Sequence, residues 1–312
     1  MSYGRVFALI LSITISLLVL VGGFNFVVDP YNVNRAVDLG LAKDQISYRG
    51  NYRLYKLQAY RNSPCPNIYL GDSRMDGLRE EEVTAAAGER YFNFAYGGGT
   101  AYEILDTFWY ATKYQALKNV YIGINFNLYN ANPRRNLVPE AKRMLDSLPR
   151  YYLSPFVTRI SFDNILYRFT GTNLRAEKPP MNKEAFWKEQ LGASTEYFYR
   201  TYQYPQEIHE GLQKIVDYCK VHKIHLVFVI PPTHIDLQNR VDDFHLREAY
   251  DRYKADIRAF GCPVFDFDVD VPMNHSYEHY KDPYHADEMI RAWEIQEVWG
   301  LNHEESPFHA YN

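Results

Sequence analysis

The first residue placed to do chemistry is Ser73, which closes the run Asn67-Ile-Tyr-Leu-Gly71-Asp72-Ser73. A hydroxyl exposed at the end of a buried strand can attack a carbonyl, and its own N–H can donate to the resulting oxyanion. It needs a base, and Asp282-Pro-Tyr-His285 near the C-terminus offers one. Three-residue spacing on a turn lets the carboxylate accept from Nδ1–H, leaving Nε2 free to take the serine proton. Two further stretches carry potential oxyanion donors. One is Asn93-Phe-Ala-Tyr-Gly97-Gly98-Gly99-Thr100, where glycines allow positive φ and close backbone approach. The other is Gly123-Ile-Asn125-Phe-Asn127, where a side-chain amide stands at a strand end. Each has a bland reading alone: a turn, tight packing, a capping Asn, one histidine among ten. The glycine run does not match a dinucleotide fingerprint. His234, after Pro231-Pro232-Thr233, is a possible substrate contact and equally a satisfied loop histidine.

The elements that must position these groups follow from periodicity. Short apolar runs at Asn67–Leu70, Tyr91–Ala95, Asn119–Asn125, Ile224–Ile230 and Pro263–Phe267 read as strands. Between them, Arg79–Ala87, Glu103–Tyr114, Gln206–His222, Arg240–Phe260 and Asp287–Trp299 read as helices. Such alternation predicts an α/β domain whose parallel sheet is covered on both faces, with its site at the carboxyl ends of the strands. Residues 126–205 interrupt the pattern and read as an insertion over the site, with a helix near Pro155–Phe169. The expected organisation is a membrane anchor at 1–30, a juxtamembrane segment at 31–66 and a catalytic domain at 67–312.

Ser after strand one, Gly after strand two, Asn after strand three and a late Asp-x-x-His form an ordered set. It resembles the SGNH hydrolase superfamily over about Asn67 to Trp299, apart from the insertion. The resemblance implies a flavodoxin-like three-layer sandwich. It also implies Ser73 as nucleophile, Asp282 and His285 as its base pair, and Ser73, Gly98 and Asn125 as the oxyanion hole. Gly97 is an alternative register for the glycine. Two departures are visible: Arg74 stands where Leu is usual, and Phe126 where Asp commonly follows Asn, which leaves Asn125 and Asn127 both open as donor. A narrower resemblance, in the N-terminal span and the Asp-Pro-Tyr just outside it, is to anchored SGNH proteins that accompany membrane-bound O-acyltransferases. The alginate O-acetylation and D-alanyl-lipoteichoic acid transfer proteins are examples. It implies an acyl-ester hydrolase or O-acyltransferase acting on an acylated glycan or other envelope polymer, or else an idle partner of such an acyltransferase.

From Val6 to Val28 no residue is charged, a run of 23, against the ~20 needed to cross the hydrocarbon core. Arg5 precedes it and Asp29 ends it, so the N-terminus is expected in the cytoplasm and the bulk of the chain outside. The run is longer than a usual signal-peptide core and lacks an A-x-A-like cleavage site, which favours an uncleaved anchor over a cleaved signal. A net charge of -4 provides no basic footprint for nucleic acid. Three cysteines are too few for a disulfide scaffold, although one bridge is possible. No cofactor or metal is expected. Twenty-eight tyrosines fit a broad, half-wet groove or interface.

Overall fold

The computed structural model describes residues 3–176 and 181–300; the 301–312 end of the expected catalytic domain lies outside them. The chain forms two compact units, Met1–Ser63 with Leu137–Lys178, and Pro64–Asn136 with Pro179–Asn312. The stretch expected as one insertion at 126–205 is therefore apportioned. Its middle joins the N-terminal segment and its flanks belong to the unit that carries the sheet.

That sheet is parallel throughout. Its strands are β1 (Asn67–Leu70), β2 (Phe92–Asn93), β3 (Asn119–Gly123), β4 (His225–Ile230) and β5 (Val264–Asp266), in the order β2-β1-β3-β4-β5. This is the expected flavodoxin-like arrangement. The direction of winding reverses at β1, so the crevice beyond the carboxyl ends of β1 and β3 is the switch point where such folds bind ligands. Burial on both faces explains why β1 and β4 read as nearly continuous apolar runs. One face aligns Tyr69, Tyr121 and Val227 in register and packs them against the final helix Glu288–Trp299, with Trp299 on both tyrosine rings. The other face, with Phe228, packs toward the helices Ala101–Ala111 and Gln206–His222.

Two expectations change here. The charged stretch Arg240–Phe260 is two helices, Ile235–Asp243 and Arg247–Ala259, because His245 between them adopts the left-handed conformation at φ 57°. The tyrosines do not mainly line a wet groove: Tyr60, Tyr69, Tyr96, Tyr129, Tyr253 and Tyr280 are among the largest fully buried side chains. Their hydroxyls find partners inside, as in Tyr69 to the Leu78 carbonyl (2.6 Å) and Tyr253 to the Ile124 carbonyl (2.9 Å). A buried phenol usually finds such a partner, although the Tyr31 hydroxyl is buried without one among the described residues. All three cysteines are free thiols.

In the other unit the helix Tyr3–Val28 is long and apolar enough to cross a membrane. It ends where Asp29 turns to φ 43°, and the Asp29 carboxylate accepts from the N–H groups of Val33, Asn34 and Arg35. The helices Lys43–Gly50, Tyr52–Asn62, Val138–Leu145, Leu148–Tyr152 and Pro155–Thr170 complete this unit among the described residues, the last starting at the expected Pro155. Ser154 caps its N-terminus ahead of Pro155, and Gly171 at φ 68° ends it.

Candidate active site

β1 delivers Ser73. Asp72 caps the short helix Ser73–Asp76 by accepting from the Arg74 N–H (3.0 Å), so Ser73 is its first residue and its N–H has no acceptor within the helix. The turn lies flush on the strand ends because Gly71 and Gly123 leave room for Met75. A Cβ on either would come within 2.4 Å or 2.1 Å of Met75 Cγ. Only glycine fits at these two strand ends while Met75 keeps its place.

The Asp-Pro-Tyr-His segment is a tight hairpin, with β6 (Tyr280–Asp282) antiparallel to β7 (His285–Ala286) and Asp282 opposite His285. Cross-strand pairing puts the two side chains beside each other. His285 Nδ1 lies 2.7 Å from Asp282 Oδ2 and 2.9 Å from Oδ1. Oδ1 also accepts from the Tyr284 N–H, and the carboxylate is buried. His285 Nε2 lies 2.7 Å from Ser73 Oγ, across 212 positions of chain. An acceptor at Nδ1 holds the ring in the tautomer whose Nε2 is unprotonated, so the serine hydroxyl donates to it.

Serine and histidine open into a cavity of about 470 Å³, within the size range of small-ligand sites. Gly98 and Gly99 form part of its wall, whereas Gly97 does not. The Gly99 N–H is engaged by the Tyr96 carbonyl, and Gly98 turns through φ 58°. Arg135 holds this loop, its guanidinium on the Gly98 carbonyl and its own carbonyl accepting from Thr100 Oγ1 at 2.6 Å.

The two asparagines are placed differently: Asn127 lines the cavity and Asn125 does not. Asn125 is only 2% exposed; Nδ2 donates to Asp72 Oδ2 (2.8 Å) and Oδ1 accepts from the Leu128 N–H (3.1 Å). Its amide plane is thereby fixed, and an amide nitrogen carries a second hydrogen to give. Asn127 stands on the cavity wall. Under the site Arg74 forks onto Asp72, with Nη2 2.8 Å from Oδ2, and sits 5.7 Å from the centre of the Tyr284 ring. Burial alone would raise the Asp72 carboxyl, but the Arg74 charge and its hydrogen bonds outweigh it and hold Asp72 below the usual carboxylate range.

Of the two readings of His234, its surroundings match the loop histidine. It lies outside the cavity lining and caps the Ile235–Asp243 helix, Nδ1 accepting from the Asp236 N–H at 3.1 Å. Its ring packs edge-on against Trp187 and Tyr280. Burial lowers its pKa and keeps it neutral.

Several wall residues went unread in the sequence. Gln190, Ser194, Tyr197 and Phe198 come from one helical run, Lys183–Tyr199, that passes through a π turn at Gln190–Ser194. Their 4-3-1 spacing is the signal that marks one face of a helix. Glu294 on the final helix faces the reverse side of the Ser73–His285 pair, across a recess shared with Arg74 and Arg291. Burial pushes its carboxyl up to about 8, so it is largely protonated at neutral pH. Among the described residues no cluster of His, Cys, Asp and Glu could hold a metal ion.

No protein-family model matches the chain, and no curated protein matches it. Among solved structures it is similar to a proposed acylhydrolase from Bacteroides fragilis, at 13% identity and TM-score 0.41, over 80% of this chain and 92% of that one. A proposed platelet activating factor from Streptococcus pneumoniae gives 10% identity and TM-score 0.43, over 82% and 95%. A GDSL-like lipase from Bacteroides thetaiotaomicron gives 13% and 0.41, over 80% and 95%. At that distance the reading of the site rests on its own geometry.

Proposed function

We propose that this protein is a serine acyl-ester hydrolase or O-acyltransferase of the SGNH type, held in the cytoplasmic membrane by its N-terminal helix with the catalytic unit outside. Its substrate class is the O-acyl groups of a glycan or other envelope polymer. The observation that carries the chemistry is the relay Ser73–His285–Asp282, with contacts of 2.7 Å at both joints, opening on a cavity. His285 Nε2 takes the proton as Ser73 Oγ bonds to the acyl carbon. The oxyanion is met by the N–H groups of Ser73 and Gly98 and by the Asn125 amide. The carbonyl re-forms, the ester C–O bond breaks, and the departing alkoxide takes the proton from His285. Water, or an acceptor hydroxyl, then repeats the steps on the acyl-enzyme. Asn127 and the aromatic wall hold the part of the substrate that does not react. A membrane-bound O-acyltransferase is the partner that would supply acyl groups if transfer prevails.

A fluorophosphonate probe tests the chemistry. Labelling of the full chain at Ser73 that vanishes in His285→Ala is the expected result. An unlabelled wild-type protein would leave the idle-partner reading standing.

The two asparagines separate kinetically. Asn125→Ala is expected to lower kcat by ~10²–10³, the usual cost of losing one oxyanion donor. Asn127→Ala is expected to raise KM with little change in kcat, as loss of ground-state binding does. Steady-state kinetics on a soluble acyl ester distinguishes the two, and the reverse pattern would reassign the donor to Asn127.

A further inference from the structure

We propose that the helices Leu148–Tyr152 and Pro155–Thr170 form a membrane-interface element, with Leu153 and Phe162 set into the acyl–headgroup boundary and Arg150 and Arg159 against lipid phosphates. The inference rests on reading Tyr3–Val28 as a retained span, and it adds a second, laterally placed contact with the same bilayer.

The two helices are pinned to the emerging end of the span. Asn25 Nδ2 donates to the Tyr152 carbonyl and to Thr158 Oγ1, each at 2.7 Å, and Ser161 Oγ donates to Asn25 Oδ1 at 2.9 Å. Asn25 is fully buried by these contacts. Asn34 adds bonds to the Phe26 carbonyl and the Tyr152 hydroxyl. A polar side chain inside an apolar run is costly in hydrocarbon unless its hydrogen bonds are met, and here they are met by the two helices.

Their level along the span follows from two contacts. A Cβ on Gly22 would lie 3.4 Å from Leu153 Cδ2, and the Phe24 and Phe162 rings are 4.7 Å apart. At ~1.5 Å rise per residue these points lie about 6–9 Å before Val28 along the axis. Interfacial helices bury their apolar face to a similar depth, ~5–10 Å. Leu153 remains 40% exposed and Phe162 60% exposed, beside Gly22 and Phe24 of the span, which are only half-buried. Whatever surrounds residues 22–24 of the span therefore surrounds these side chains too. Arg150 and Arg159, both exposed, each stand three positions before one of the apolar pair. Residues three apart share a helix surface, and a long arginine stem lets the guanidinium reach headgroups while its apolar neighbour points inward.

The test uses the full chain reconstituted in vesicles of zwitterionic and anionic phospholipid. Phe162→Trp is compared with a mid-span control, Leu18→Trp, after subtracting the signal of the four native tryptophans. Lipids brominated high on the acyl chain are expected to quench the tryptophan at position 162, with little added loss from aqueous iodide. Deep-brominated lipids are expected to quench that at position 18. Iodide quenching at 162 would place the face in water, and protection from both quenchers would place it under protein. Either outcome overturns the proposal. Absence of lipid quenching at 18 would instead overturn the anchor reading.

Discussion

Ser73→Ala is expected to lower turnover of an acyl ester on the order of 10⁶-fold, and His285→Ala by a similar factor, with the double variant no worse than either. The reason is geometric. Ser73 Oγ has His285 Nε2 as its base at 2.7 Å, and without it the hydroxyl stays protonated and a poor nucleophile. Asp282→Asn should cost less, about 10⁴, because the amide can present its N–H to Nδ1 and turn the imidazole to the wrong tautomer. What survives in each case is the contribution of the oxyanion donors and the cavity. Initial rates on a chromogenic acyl ester measure the four variants against the wild type, and a Ser73→Ala enzyme running at the wild-type rate would end the covalent mechanism.

Arg74→Met is expected to destabilise the fold by about 3–5 kcal/mol, because it leaves the Asp72 charge buried without its partner. Both side chains of the pair are under 10% exposed, so little water reaches the carboxylate. The pH dependence carries a sign that checks the cause. In the wild type, Asp72 has a folded pKa below its unfolded value, so its contribution is present above the unfolded pKa and is lost as pH falls through the folded one. In the variant, burial remains while the opposing charge is gone, so the folded pKa rises above the unfolded value. Stability is then gained as pH falls toward the acid range. Urea midpoints between about pH 3 and 7 should therefore slope in opposite directions for the two proteins at this site. Parallel slopes would show that Asp72 does not depend on Arg74 for its charge.

Within the chain, patterns of short range carried far. Asn67–Leu70 and Ile224–Ile230 announce strands because sheets covered on both faces need side chains that are apolar on both sides. Gln206–His222 announces a helix through Ile208, Leu212, Ile215, Val216 and Cys219, and all five are buried. Ser73, Asp282 and His285 could be singled out because strand ends and turns are where reactive groups are presented, and their order along the chain matched a recurring set. The uncharged run from Val6 to Val28 likewise depends only on composition and length.

Contacts between remote segments were decided by the tertiary structure. No local pattern shows that 137–178 gathers with the N-terminal segment, or that the Lys183–Tyr199 helix lends one face to the cavity. His234 and the tyrosines illustrate the physical reason. An imidazole or a phenol has an apolar ring and a polar edge, so its type is equally suited to a cap, a core or a pocket, and only the neighbours brought in by folding choose among them. The same holds for the 2.7 Å approach of Ser73 to His285: the residue types permit it, and the hairpin Tyr280–Ala286 beside the end of β1 produces it.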